Sequence, residues 1–216
     1  MTEQGKTVKI IDQDFGFIKG TDRVLILGAS GSGKSVTMHY IAEGLHAQGT
    51  EINMLAPAKV VRLQKEGKLP TWIKLINYKY PYLEPEKMTL FDDAQLKTHA
   101  RESMKQKNIE LIKVLSVARH KHAGIIFNTQ QGAQIDRGTI GYAHYVIFKQ
   151  PGLFMSQLER PEFRKLSIHI NEMFNREITA KGLDPRQYSY VVSDMREGFV
   201  GPTGLPSYWS KELGDW

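Results

Sequence analysis

Residues 28 to 35 read GASGSGKS and follow directly on the apolar run from Val24 to Leu27. These eight residues match the phosphate-binding loop pattern G-x-x-x-x-G-K-[ST] at every fixed position. Small residues let the backbone N–H groups of such a loop surround a phosphate, and a helix that starts at its end adds a positive terminus. The stretch therefore predicts a strand, a P-loop and a helix in an α/β fold that binds a nucleoside triphosphate.

Each residue type in this loop has a physical reason to be there. Lys34 brings a positive charge to the β- and γ-phosphate oxygens, and the Ser35 hydroxyl is suited to bind Mg²⁺. The chain has no NKxD guanine motif, which favours ATP as the nucleotide. The expected ligands are ATP and Mg²⁺, and the predicted nucleotide-binding residues are Gly28, Ala29, Ser30, Gly31, Ser32, Gly33, Lys34 and Ser35.

The composition of the 216 residues limits the class of protein. This length suits a single α/β domain, and the absence of cysteine excludes disulfides and thiolate metal sites. No apolar stretch is long enough to span a bilayer, and the first residues lack the apolar core of a signal peptide, so we expect a soluble intracellular protein. A net charge of +6 suits either a polyanionic partner such as nucleic acid or a plainly basic surface.

Short apolar runs alternate with helical patterns along the chain, which is typical of a mostly parallel sheet flanked by helices. The predicted strands are Val8–Ile11, Arg23–Leu27, Ile52–Leu55, Met88–Phe91, Ile125–Asn128, Tyr145–Phe148 and Tyr188–Ser193. The predicted helices are Ser35–Gln48, Ala94–Val117 and Pro161–Gly182. The ending, GFVGPTGLPSYWSKELGDW, has too many Gly and Pro for regular structure and too many aromatic residues for a disordered tail, so it predicts a docked segment.

The segment KMTLFDDAQ, residues 87 to 95, reads as a strand that ends in two acids. It reads as a Walker B element: a strand beside the P-loop strand would deliver Asp92 to the Mg²⁺ shell and place Asp93 where it could orient or deprotonate an attacking water. The alternative is that the two acids begin the next helix, where Asp is favoured at the N-cap and in the first turn.

A third segment, ARHKHAGIIFNTQQ at residues 118 to 131, leads from a basic cluster through an apolar strand to Thr129 and Gln130. The carboxyl ends of parallel strands face the ligand crevice, so the Gln130 amide is a candidate sensor of the γ-phosphate or the attacking water. Its alternative role is a hydrogen bond to loop backbone. For His120, Lys121 and His122, the three residues of the basic cluster after Arg119, the alternative is an ordinary solvated helix end.

In this order, GASGSGKS, TLFDDAQ and ARHKHAGIIFNTQ resemble the FtsK/HerA superfamily of DNA-pumping ATPases, and the short chain is similar to the packaging ATPases of membrane-containing double-stranded DNA viruses. The closing GLPSYWSKEL resembles their C-terminal segment. The resemblance implies a RecA-like core at about residues 20 to 150, with a C-terminal helix, strand and docking tail at about 155 to 216, all within one domain.

The resemblance also implies a mechanism and partners. Lys34, Asp93, Arg119 and Gln130 are then the catalytic residues, with Ser35 and Asp92 on the metal and Arg119 acting as an arginine finger in the neighbouring subunit. Asp93 departs from the family, which usually has Glu there. The implied partners are double-stranded DNA, a homo-oligomeric ring of five or six copies, and a capsid vertex, portal or membrane protein. The implied location is the host cytoplasm and the packaging vertex.

Two other function classes fit a P-loop chain of this length. A small-molecule kinase needs an arginine-bearing lid, for which the tract Arg160–Arg176 is the candidate. A nucleotide-dependent interaction module binds ATP without turnover. Within the DNA-motor interpretation, Arg137 rivals Arg119 as the arginine finger. The candidate DNA contacts, each also explained as solvated surface, are Lys59, Arg62, Lys65, Lys68, Lys105 and Lys107.

Overall fold

The structure is a computed structural model that describes residues 10–56, 58–77, 83–92, 118, 120–129, 141–152 and 161–214, with only the backbone at 77 and 161–163. The strands are β1 (Ile10–Asp12), β2 (Arg23–Leu27), β3 (Ile52–Ala56), β4 (Ile73–Asn77), β5 (Met88–Phe91), β6 (Gly124–Thr129), β7 (Tyr145–Phe148), β8 (Ser189–Val192) and β9 (Glu197–Val200). The helices are α1 (Lys34–Ala47), α2 (Ala58–Lys65), α3 (Pro161–Glu177) and α4 (Lys211–Gly214), with short 3₁₀ turns at Thr179–Lys181 and Pro185–Gln187.

The nine described strands form one sheet in the order β1-β9-β8-β7-β2-β6-β5-β3-β4. β8 is antiparallel to both of its neighbours, and all the other pairings are parallel. This arrangement confirms the predicted α/β class with a mostly parallel central sheet. Because β2 pairs with β6 on one side and β7 on the other, the P-loop strand lies at the middle of the sheet.

Alternate residues of β2 enter two separate apolar layers, as a strand buried on both faces requires. Val24 and Ile26 pack in the layer that contains Met38 of α1. Leu25 and Leu27 pack in the opposite layer, which contains Phe174 of α3. The helices therefore cover both faces of the sheet and hold the P-loop strand rigidly from each side.

Four elements differ from the sequence-based expectation. α2 was not predicted, and in it Val60 and Leu63 are buried at i, i+3 spacing. β4 was not predicted, because it is an edge strand whose apolar run is interrupted by the exposed Lys74. The expectation of no regular structure from Gly198 onward is wrong in two places. Residues 198–200 complete β9, which pairing with both β8 and β1 holds in place, and Lys211–Gly214 forms α4, in which Leu213 is buried.

The end of one predicted helix also changes. α3 ends at Glu177 rather than at Gly182, which instead terminates the following 3₁₀ turn in a left-handed conformation with φ 72°. The predicted helix over residues 94–117 lies outside the described residues. Among the helices of the described ranges, none combines the length and apolar character that crossing a membrane requires.

The closing segment packs on α1. Tyr208 Oη lies 2.9 Å from His39 Nδ1, and the Ser207 N–H donates to both carboxylate oxygens of Glu43 at 3.1 Å. The Tyr208 ring also meets Trp72 edge to face, with ring centroids 5.6 Å apart. His39 is fully buried here, and burial lowers its pKa to about 4. The segment thus fixes the helix that begins at the P-loop.

Candidate active site

The first six residues of the P-loop lie between the end of β2 and the start of α1, and its last two, Lys34 and Ser35, begin that helix. Gly31 and Gly33 have φ angles of 72° and 90°, in the left-handed region that glycine adopts without steric cost. Gly33 is the N-cap of α1, and its carbonyl accepts the first helical hydrogen bond from the Thr37 N–H at 2.9 Å. The loop therefore turns sharply into a helix whose positive N-terminal end faces it, which is the local geometry of an anion site.

Lys34 is buried within this turn, with 7% of its surface exposed. Its Nζ donates a 2.8 Å hydrogen bond to the Ala29 carbonyl, and the Ser32 hydroxyl donates to the same oxygen at 2.8 Å. The loop is folded around its own lysine, so a positive charge is held close to the backbone N–H groups at the start of α1. This arrangement suits a multiply charged phosphate group.

The structure brings Ser35 and Asp92 together. Asp92 follows the last residue of β5, is 5% exposed, and accepts a 2.8 Å hydrogen bond from the Ser35 hydroxyl at Oδ2. Contrary to the prediction from the sequence, β5 is not beside the P-loop strand, because β6 lies between them; Asp92 still reaches the P-loop from that side, since all three strands end at the same edge of the sheet. Hydroxyl and carboxylate oxygens are hard donors of the kind that Mg²⁺ prefers, so this pair suits the predicted cation.

The remaining predicted catalytic residues, Asp93, Arg119 and Gln130, lie outside the described residues, as does Arg137. Thr129, the residue before Gln130, ends β6 and is buried at the carboxyl edge, opposite Leu27 of β2. The described residues of the basic cluster, His120, Lys121 and His122, precede β6 and therefore lie at the opposite edge of the sheet. There the Lys121 ammonium donates to the Leu83 carbonyl at 3.3 Å, and His120 and His122 are exposed.

Sequence analysis missed Lys149, a buried lysine beside the P-loop. It directly follows β7, and its backbone N–H donates to the Leu27 carbonyl at 2.7 Å. A methyl group at Gly28 would lie 2.7 Å from Lys149 Cβ, so the backbones of these two residues approach so closely that no side chain fits at position 28. The rule that polar residues at strand carboxyl ends face the ligand crevice, which identified Gln130, applies equally to Lys149.

Burial lowers the pKa of the Lys149 ammonium group. Its side chain is 0% exposed, and loss of solvation lowers its pKa to about 7, although the Asp184 carboxylate acts in the opposite direction. The ammonium donates to the Arg186 carbonyl at 2.8 Å and to the Ser189 hydroxyl at 3.2 Å. Lys149 therefore joins the P-loop to the turn Pro185–Gln187 that leads into β8.

No family model matches this chain, and no curated protein sequence matches it either. Solved structures do resemble it in fold. The genome packaging NTPase B204 from Sulfolobus turreted icosahedral virus 2 in complex with sulfate aligns with a TM-score of 0.56 and 15% identity, over 87% of this chain and 100% of that chain. The AMPPCP complex of that protein gives a TM-score of 0.53 at 15% identity, over 86% of this chain and 100% of that chain.

A third solved structure, B204, the DNA-packaging ATPase from Sulfolobus turreted icosahedral virus, aligns with a TM-score of 0.54 and 14% identity, covering 87% of this chain and all of that one. These similarities confirm the RecA-like fold. They also show that the resemblance suggested by GASGSGKS, TLFDDAQ and ARHKHAGIIFNTQ extends to the fold of a packaging NTPase of that type.

Proposed function

We propose that this protein is a Mg²⁺-dependent ATPase that moves double-stranded DNA and packages a viral genome into a preformed capsid. The observation that carries the proposal is the contact between Ser35 and Asp92 beside the buried Lys34, at the carboxyl edge of a parallel sheet. Many P-loop proteins share this constellation. The fold as a whole, which aligns with all of the chain of packaging NTPases, favours the DNA motor among them.

The residues of the loop would bind the triphosphate through their backbone N–H groups and through the Lys34 ammonium. Ser35 and Asp92 would hold Mg²⁺, which neutralises charge on the phosphate oxygens when it is bound. Asp93 follows Asp92 and would accept a proton from the attacking water, while Gln130 after β6 would orient that water. Structures of B204 in complex with AMPPCP and ATP-gammaS support a nucleotide in this role.

An arginine from a neighbouring copy would complete the site. A motor that moves a polymer must couple its sites, and a cation donated across a subunit interface stabilises transition-state charge in the next subunit. We assign this role to Arg119, because the described residues around it precede β6 at the edge opposite the P-loop. The resemblance to the DNA-pumping ATPases implies a homo-oligomeric ring of five or six copies, with a capsid vertex, portal or membrane protein as its docking partner.

Double-stranded DNA fits the net charge of +6, and α2 presents a basic surface that follows the carboxyl end of β3. Lys59, Arg62 and Lys65 are exposed on α2. Arg62 pairs with Glu66 at 2.7 Å, and Lys68 pairs with Glu66 and Glu212, so part of this charge is balanced within the chain. The exposed side chains of α2 are the candidates for contact with DNA phosphates.

Steady-state ATP hydrolysis with and without long double-stranded DNA tests the proposal. We expect hydrolysis that requires Mg²⁺, increases severalfold with DNA of any sequence, and loses its stimulation as salt rises from about 50 to 200 mM, because DNA binding releases counterions. Lys34→Ala is the control for contaminating ATPases. A rate of ATP consumption that is unchanged by DNA but depends on a small phosphate acceptor would assign the site to a kinase. Nucleotide binding without turnover would assign it to an interaction module.

A further inference from the structure

The turn Pro185–Gln187 lies against the P-loop. A methyl group at Gly33 would be 3.3 Å from the Arg186 carbonyl oxygen and 3.7 Å from Arg186 Cβ. The same methyl group would be 3.6 Å from Lys149 Cε. Because Gly33 immediately precedes the P-loop lysine, this turn borders the place where the loop would hold phosphate.

Lys149 fixes the distance between this turn and the P-loop. Its Nζ donates to the Arg186 carbonyl at 2.8 Å, while its backbone N–H donates to Leu27, the residue before the loop. The side chain is wholly buried, so neither bond competes with solvent. The backbone of Arg186 is thus positioned as firmly as the P-loop strand itself.

The Arg186 side chain, in contrast, extends into solvent and is 70% exposed. Its Nε lies 3.0 and 3.1 Å from the two Asp184 oxygens, and its Nη2 lies 2.9 Å from Oδ2. An exposed ion pair of this kind contributes little to stability, so the guanidinium can leave Asp184 for a ligand at small cost. A guanidinium is planar and packs well on aromatic rings, including nucleobases.

The order of the strands tells which end of a nucleotide would meet Arg186. Asp92 and Ser35 mark the metal-binding side of the P-loop, toward β6 and β5. β7 and β8 lie on the other side of β2, and Ser189 at the start of β8 is bonded to Lys149 at the same edge. A triphosphate whose metal-bound end points toward β5 has its nucleoside directed toward β7 and β8.

We propose that Arg186 binds the nucleoside end of the nucleotide held by the P-loop of its own chain, with its guanidinium packed on the base in exchange for Asp184. The proposal rests on the proposed nucleotide-binding function and adds a specificity residue to it. Arg186 would distinguish a nucleoside triphosphate from an inorganic polyphosphate, which has the same charged groups but no base to pack against.

Calorimetric titration of ATP and of inorganic tripolyphosphate, each with Mg²⁺, tests this assignment. Arg186→Ala should weaken ATP binding about tenfold and leave tripolyphosphate binding unchanged, since the lost contact is to the base. Arg186→Met keeps the aliphatic stem beside Gly33 and should show the same selective loss. Arg196→Ala is the matched control, because Arg196 is also paired with an acid, Asp12 at 3.4 Å, and lies beyond the opposite end of β8.

Three results would overturn the assignment. An equal loss for ATP and tripolyphosphate would make Arg186 a phosphate ligand, and full ATP affinity in Arg186→Ala would mean that it makes no contact. Full affinity in Arg186→Met would show that the stem and not the guanidinium is responsible. If the unaltered protein binds neither ligand, the proposed nucleotide function itself fails. That failure is seen in the unaltered protein, whereas failure of the Arg186 assignment is seen only in the variants.

Discussion

The Ser35 hydroxyl and Asp92 Oδ2 are 2.8 Å apart, although 57 residues separate them in the chain. The contact forms because β2 and β5 both end at the same edge of a parallel sheet with one strand between them. Each residue belongs to a different motif, and the fold makes them one site. The Ser35 hydroxyl supplies the proton of this bond, so the Asp92 carboxyl group is its acceptor beside the start of α1.

Asp92→Asn should remove most Mg²⁺ binding while keeping the fold. Asn retains an oxygen that accepts from Ser35 but lacks the negative charge that attracts the cation. Mutating a residue that only supports a metal ligand typically lowers metal affinity or activity about 10- to 100-fold. Asp92 is proposed to bind the metal itself, so we expect the rate of Mg²⁺-dependent ATP hydrolysis to fall by at least that factor. The measurement is the Mg²⁺ dependence of the hydrolysis rate.

Asp22→Asn is the control for this change. Asp22 is a half-buried acid at the opposite edge of the sheet, where its Oδ1 lies 2.7 Å from His144 Nδ1. The control variant should keep the normal Mg²⁺ dependence. If Asp92→Asn also keeps it, Asp92 is not a metal ligand.

Gly28→Ala should disrupt the P-loop through a steric clash. The added methyl group would meet Lys149 Cβ and the Ser32 hydroxyl at 2.7 Å each, a separation that packed atoms do not tolerate. We expect a loss of stability of about 1 to 3 kcal/mol and at least tenfold weaker ATP binding. Urea unfolding and titration with a fluorescent ATP analogue measure the two effects.

Gly44→Ala provides the matched comparison within α1. A methyl group at Gly44 meets nothing within 4 Å, and alanine is a better helix former than glycine. This variant should gain about 0.5 to 1 kcal/mol of stability and bind ATP normally. Equal behaviour of the two alanine variants would mean that the close approach between Gly28 and Lys149 is not a constraint.

The depressed pKa of Lys149 predicts how stability changes with pH. In the folded protein burial lowers this pKa from 10.5 to about 7, so between these values the unfolded chain binds more protons than the folded one. The free energy of unfolding should therefore rise with pH across this window, by up to about 1.4 kcal/mol for each pH unit. Below pH 7 both states hold the proton, and the contribution is constant.

Lys149→Met isolates this effect, because methionine has a similar length and no charge. Urea unfolding of both proteins at several pH values from about 7 to 10 gives the difference in unfolding free energy between them. We expect the unaltered protein to gain relative to Lys149→Met as the pH rises. A difference that stays constant with pH would show that folding does not change the pKa of Lys149.

The sequence predicted the parts of the fold that bury long apolar runs. β2, β5 and β7 occupy the predicted residues, because their side chains are apolar and central strands pack on both faces. β4 and α2 could not be recognised in the same way, since an edge strand and a short amphipathic helix bury only part of their residues. β9 is held by its partners on both sides rather than by its own sequence.

Some residues of the candidate site could be predicted from the sequence, and others could not. Lys34, Ser35 and Asp92 belong to motifs whose spacing reflects their chemistry, so the sequence alone places them together. Lys149 and Arg186 belong to no motif. They become neighbours of the P-loop only because β7 pairs with β2 and β8 returns antiparallel beside β7, a relationship that no local pattern encodes.

Mixing two inactive variants tests the role of Arg119. Arg119→Ala retains its P-loop, and Lys34→Ala retains its arginine, so an interface between them contains one complete site if the arginine acts across subunits. ATP hydrolysis by the mixture should exceed the average of the two separate proteins. No recovery in rings shown to contain both variants would contradict the shared site, and the same experiment with Arg137→Ala would then test the other candidate.

We propose that ATP hydrolysis drives this protein along double-stranded DNA, and displacement of a triplex-forming strand measures that movement directly. A labelled third strand is bound at one end of a long duplex, and its release is followed after ATP and Mg²⁺ are added. We predict release that requires hydrolysable ATP, is delayed in proportion to the length of duplex to be crossed, and is absent with Lys34→Ala. ATP hydrolysis stimulated by DNA without any displacement of the third strand would contradict the claim.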